Sequence, residues 1–142
     1  MEIVIVEKAE PWILEGLNML LPQLTENAPP LSLSELELIV ATDCITLLAA
    51  LEEGRVVGSL TLVVVRIPTG LRARIEDVAV DASARGRGTG ELLIRRAIHL
   101  AKNRGAGSVD LTSSPARTAA NRLYRKIGFV PRETNAYRYQ IL

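Results

Sequence analysis

The chain has 142 residues, the size of one ordinary domain, and 48% of them are hydrophobic, enough to bury a core. Seventeen Lys and Arg against sixteen Asp and Glu leave a net charge of +1, which gives no basis for bulk binding to nucleic acid or an anionic membrane. A charged share of 23% argues against intrinsic disorder. The lone cysteine, Cys44, excludes an internal disulfide, and with only one histidine, His99, a metal site is not expected.

Residues 3–6 read as a short buried strand. Pro11 opens a helix at its first turn, where a missing N–H costs nothing. Trp12, Ile13, Leu17, Leu20 and Leu21 form its apolar stripe, and Pro22 is expected to end it. A loop over residues 25–31 leads to Ser32, which with Glu35 makes a capping box for a helix reaching Ala41, with Leu36, Ile39 and Val40 inward. Cys44 begins the next apolar run and reads as a small buried hydrophobe.

Three strands follow, over residues 45–51, 56–65 and 73–80. They are joined by turns at Gly54 and Gly70 and are therefore antiparallel, with Gly58 marking a bulge. A glycine-rich loop then enters a helix from about Gly88 to Asn103. Leu92, Leu93, Ala97, Leu100 and Ala101 face inward, His99 is a helix-face residue, and Gly105 is the cap. Residues 108–112 are a strand parallel to the one before the helix. A last helix ends at Gly128, and residues 129–130 and 136–141 complete the sheet. The expectation is one domain over residues 1–142: a mixed α/β fold with a mostly antiparallel sheet, helices on both faces, and the order β-α-α-β-β-β-α-β-α-β-β. The first residues, Met1-Glu2-Ile3-Val4-Ile5-Val6-Glu7, hold no basic leader region and no span-length apolar run, so a cytoplasmic protein is expected.

The chemistry concentrates in Arg85-Gly86-Arg87-Gly88-Thr89-Gly90. Alternating glycines permit a tight turn, and the helix that follows begins with unpaired N–H groups and a partial positive charge. That combination suits phosphate oxygens. The region is also basic, with Arg95, Arg96, Lys102, Arg104, Arg117, Arg122, Arg125 and Lys126 following, although a solvated helix face looks the same. A dinucleotide fingerprint needs a different glycine spacing at the first strand of a parallel sheet, and a Walker loop needs Gly-Lys-Ser/Thr. A plain turn with no ligand stays open on this loop alone.

The run Ile75-Glu76-Asp77-Val78-Ala79-Val80-Asp81, followed by Arg85, Gly88 and Gly90, resembles motif A of the GNAT superfamily of N-acetyltransferases. Asn121, Tyr124, Gly128 and Phe129 resemble its motif B. The resemblance implies acetyl-CoA as co-substrate and a small amine or peptide as acceptor. The pantetheine arm would lie along Val78-Ala79-Val80, and the pyrophosphate on N–H groups from Arg85 through Gly86, Arg87, Gly88 and Thr89 to Gly90. Asn121 would bind the arm, and Tyr124 would protonate the departing thiolate. Glu76 is the first candidate for the base and Asp77 the second. Being adjacent on a strand, they face opposite ways unless a bulge intervenes. Neither nucleic acid nor membrane is an expected partner, and homodimers are common among small members. A non-catalytic acyl-CoA-binding or regulatory module of the same fold is the alternative.

Overall fold

The computed structural model describes residues 1–142. Ten elements follow in order: β1 (Glu2–Ile5), α1 (Pro11–Leu24), α2 (Leu33–Ala41), β2 (Ile45–Glu52), β3 (Arg55–Ile67), β4 (Gly70–Val80), a 3₁₀ turn (Ala82–Ala84), α3 (Thr89–Asn103), β5 (Val109–Asp110) and α4 (Thr118–Ile127). They fall into two compact units, Met1–Thr112 and Ser113–Leu142. No helix is long and apolar enough to cross a membrane.

The first unit is a five-stranded sheet in the order β1-β2-β3-β4-β5. The first three pairings are antiparallel and the last, β4 with β5, is parallel. The β2–β3 hairpin turns on Glu53 and Gly54, both with positive φ, as a tight two-residue turn requires. On one face α1 and α2 cover a core of Val6, Ile13, Leu17, Leu36, Leu47 and Ala49. On the other, α3 buries Leu93, Ile94, Ala97 and Ala101. The strands alternate accordingly: Leu47 and Ala49 lie toward α1 and α2, whereas Ala50 and Gly58 approach Thr89 and Leu93 of α3.

Local signals shape the helix ends. Ser32 and Glu35 exchange both bonds of the capping box at α2. Pro22 does not end α1, which runs on to Leu24. A proline in the last turn removes a single N–H, and Thr25 N–H still closes on the Leu21 carbonyl at 3.0 Å. Trp12 and Leu92, expected inward, are 42% and 47% exposed, while Ile94 takes a core position instead. Cys44 is half-buried and free. The bulge expected at Gly58 is present beside it, as a register shift between Ala50 and Leu51.

The larger departure lies in the second unit. It contains α4, and residues 129–142 form neither of the two strands expected there. Tyr137, Tyr139 and Ile141 alternate as a strand would but are 84–91% exposed. Alternation describes a strand's faces, whereas a strand exists only where its N–H and C=O groups find a ladder, and none forms along this segment.

Gly16, in the middle of α1, explains how close that helix sits to the sheet. A Cβ there would lie 2.5 Å from the Val56 Cβ. Gly→Ala inside a helix ordinarily gains about 1 kcal/mol. Gly16→Ala is expected to lose about 1–3 kcal/mol instead, because overpacking against β3 outweighs propensity. Chemical denaturation of the two proteins measures the sign directly.

Candidate active site

In the first unit the site begins with an irregularity in β4. Thr61 pairs with Glu76 and Ser59 with Ala79, so two steps along β3 match three along β4. The extra residue is accommodated at Asp77, whose φ is +52. Aspartate tolerates this left-handed conformation better than most residues. Cross-strand partners share a face, so the face that carries Glu76 continues as Ala79 and not as Val78. On a regular strand Glu76 and Val78 would have stood together.

The opposite edge of β4 is largely bare. Its parallel ladder with β5 consists of Ala73 with Val109 and Arg74 with Asp110, and β5 is only two residues long where five were expected. From Ile75 to Val80, β4 has a ladder on the β3 side alone. An edge of this kind can take an added extended chain.

Beyond Val80 the backbone is tightly held. The Asp81 N–H donates to the Val57 carbonyl at 2.8 Å, and the Ala84 N–H to the Asp81 carbonyl at 2.9 Å. The Asp81 carboxylate accepts from Gln23, Ser83 Oγ and the Ser83 N–H, which holds its carboxyl down at about 2. Ala84 is fully buried, and the buried Thr89 hydroxyl donates to its carbonyl at 3.2 Å. The Thr89 side chain is therefore a fastener within the loop, and only its backbone is available to a ligand.

Between these fixed ends, Gly86 and Gly88 have φ of +77 and +82, and beyond the adjoining backbone no atom lies within 4 Å of where a Cβ would stand on either. Gly88 is the N-cap of α3 and provides no side-chain cap. The helix start is thus held open toward unoccupied space, as an anion site requires. Gly58 lets that start approach the sheet, since a Cβ there would be 3.1–3.3 Å from Leu93, Thr89 and Ala50. The two loop arginines are engaged within the protein. Arg85 Nε donates to the Val80 carbonyl at 3.1 Å. Arg87 forms a two-pronged pair with Glu52 at 2.8 and 2.6 Å, whose hydrogen bonds draw the Glu52 carboxyl below its ordinary value.

The candidate bases differ in environment. Glu76 is half-exposed and ion-paired with Arg74, which also donates to Thr112 Oγ1 at 3.4 Å. Asp77 is exposed. Arg74 was not singled out by the sequence, although its place two residues before Glu76 puts both on one face.

In the second unit α4 carries Asn121 and Tyr124. Asn121 Nδ2 donates to the Ser114 carbonyl at 3.0 Å and ties the helix to the segment before it, a structural duty that sequence reading missed. Its Oδ1 is left as an acceptor. Tyr124 is buried and meets Phe129 edge to face, with ring centres 5.8 Å apart. Burial raises its hydroxyl pKa above the ordinary tyrosine value, opposed by the Arg117 charge, so the group is protonated at neutral pH. Gly128, with φ of +124, closes α4 and turns the chain into Phe129.

Comparison with known proteins decides the family. Residues 14–129 match the acetyltransferase (GNAT) family. The chain belongs to that family. It is 35% identical over 112 residues to glucosamine 6-phosphate N-acetyltransferase 1 of Oryza sativa subsp. japonica, a match that covers 77% of this chain and 66% of the relative. It is 38% identical over 118 residues to glucosamine 6-phosphate N-acetyltransferase of Trypanosoma brucei brucei, covering 78% of each. The crystal structure of a Trypanosoma brucei acetyltransferase superposes with a TM-score of 0.81 at 32% identity, over 98% of this chain and 99% of that one. The chain spans about two thirds of the length of the rice relative, and about a third of the next, a second rice protein named “Probable glucosamine 6-phosphate N-acetyltransferase 2”.

Proposed function

We propose that the chain, acting as one domain over residues 1–142, transfers an acetyl group from acetyl-CoA to a primary amine of a small molecule or peptide. The observation that carries this reading is the open glycine turn at the uncapped start of α3, set directly after a strand edge with no ladder partner. A pyrophosphate needs the first and a pantetheine arm the second. The unbroken family match across Thr112 supports treating the chain as a single domain.

In this reading the N–H groups from Arg85 to Gly90 hold the pyrophosphate, and the backbone of Val78, Ala79 and Val80 pairs with the arm. Asn121 offers its free oxygen to an amide of the arm. The Val78 N–H polarises the thioester carbonyl, worth most where water is excluded. Glu76 accepts the proton of the attacking amine, with Asp77 as second candidate, and Tyr124 gives its proton to the departing thiolate. Names of the rice and trypanosome relatives support a phosphorylated amino sugar as the acceptor.

Acetyl-CoA is expected to raise the melting temperature, because a ligand that binds only the folded state stabilises it by mass action. Gly88→Glu places a side chain and a negative charge in the turn and should abolish that rise. A wild-type protein that does not shift with millimolar acetyl-CoA overturns the reading.

Tyr124→Phe keeps the ring and its contact with Phe129 while removing the proton. Turnover is expected to fall by about 10²-fold at nearly unchanged acetyl-CoA affinity. Unchanged turnover, with the chemical step rate-limiting, returns Tyr124 to packing alone.

For the base, the measurement is a pH–rate profile at saturating acetyl-CoA. Glu76→Gln is expected to lower the rate and flatten its rise with pH. Asp77→Asn is a clean control, since asparagine also accepts the left-handed backbone. If Asp77→Asn loses the rise and Glu76→Gln retains it, the roles are exchanged.

A further inference from the structure

The glycine turn can hold a ligand only if its two ends are fixed. One end is α3 itself. The other is the short stem from Val80 to Ala84, and a side chain from a different element grips it. Gln23, in the last turn of α1, uses both ends of its amide. Nε2 donates to Asp81 Oδ1 at 2.9 Å, and Oε1 accepts from the Ala82 N–H at 3.0 Å. Nε2 also lies 3.3 Å from the Met19 carbonyl one turn back, which fixes the rotamer. The other Asp81 oxygen caps the 3₁₀ turn through Ser83. The Ala84 carbonyl then accepts from the hydroxyl of Thr89, the first residue of α3.

We infer that Gln23 is a positioning residue for the coenzyme, holding the stem of the glycine turn so that the N–H groups from Arg85 to Gly90 converge on the pyrophosphate. The inference rests on the acetyl-CoA reading above. Gln23 itself touches no ligand and acts through Asp81 and Ala82. Without it, one carboxylate oxygen and one N–H of the stem turn to water, and fewer molecules carry the turn in its binding geometry. Apparent affinity falls by that fraction.

The test measures the dissociation constant of coenzyme A by calorimetry for wild type, Gln23→Ala and Gln23→Glu. Near neutral pH both variants are expected to bind roughly three- to tenfold more weakly. At saturating acetyl-CoA, kcat should stay within about twofold of wild type, the pattern of lost ground-state binding. Gln23→Glu adds a readout that a merely structural role would not move. Its new carboxyl is ionised at neutral pH, repels Asp81 and cannot donate. Crowding by Asp81 raises the pKa of the new carboxyl above the ordinary glutamate value of about 4.3. As pH falls it gains a proton and becomes a donor to Asp81. Gln23 contributes most to holding the wild-type Asp81 carboxyl down. In the variant the two Ser83 bonds and the Arg55 charge still lower it, so the shared proton sits on the new carboxyl. The ratio of variant to wild-type affinity should therefore recover between about pH 7 and pH 4.5 for Gln23→Glu and stay low for Gln23→Ala. Taking the ratio cancels titration of the coenzyme's own phosphates. Equal affinities for all three proteins, or a Gln23→Glu deficit that does not change with pH, overturns the inference and leaves the coenzyme reading standing. No binding by the wild type removes both.

Discussion

The rest of the site hangs on one extra residue in β4. Between Glu76 and Ala79 the strand spends three steps where β3 spends two, and Asp77 takes a left-handed backbone to do so. Before this point Ala73 and Ile75 pair with Val64 and Leu62; after it the strand has changed sides, so Ala79 continues the face of Glu76. β4 stays paired with β3 through Val80, and its far edge is bare because β5 has already stopped at Asp110. A regular β4 paired along its length with a long β5 would be a better sheet and would have no exposed edge to offer. Both departures cost local stability and fall on residues 75–80, of which the proposed chemistry uses five, Glu76 to Val80, and strain of this kind is commonly found at such places.

The loop that follows is built to present backbone, with its side chains committed elsewhere. Arg85 folds back on Val80, Arg87 is held by Glu52, and Thr89 fastens Ala84. What faces outward is the amide surface of two left-handed glycines and an uncapped helix start. The fixed dipoles there need no reorganisation when an anion arrives. The guanidinium of Arg87 would have to leave a carboxylate to contribute, so its pull on a phosphate is offset by the loss of Glu52.

The sequence discloses what local chemistry determines. The capping box at Ser32, the turn at Gly54, the glycine loop and the cap at Gly105 are each decided within a few residues, and each is where it was expected. The mixed sheet flanked by helices follows from their order. What escaped depends on partners distant in the chain. Trp12 and Leu92 fit an apolar stripe by spacing, yet how wide a stripe the sheet covers is set by the sheet. Residues 136–141 alternate correctly and still form no strand, since pairing is not written in the alternation. The Asn121 amide looked idle because its partner, the Ser114 carbonyl, lies outside the helix. Glu76 and Asp77 were legible as carboxylates beside the site, but the ion pair of Glu76 with Arg74 and the backbone duty of Asp77 were not.

Helix α1 shows how these layers connect. Its buried stripe of Ile13, Leu17 and Leu20 attaches it to the sheet, but hydrophobic contact is non-directional and fixes no axial register. Three other residues do that. Gly16 seats the helix against Val56, so closely that a methyl group would collide. Asn18 binds both backbone groups of Leu31, at 2.8 and 3.0 Å, and anchors the loop that leads to α2. Gln23 grips Asp81 and Ala82. A helix rises about 1.5 Å per residue, so a slide of one residue would carry the Gln23 amide beyond the range of its hydrogen bonds. The notch at Gly16 therefore constrains the stem of the glycine turn some distance away, through a rigid helix. A residue with no chemistry of its own becomes part of how the anion site is held open.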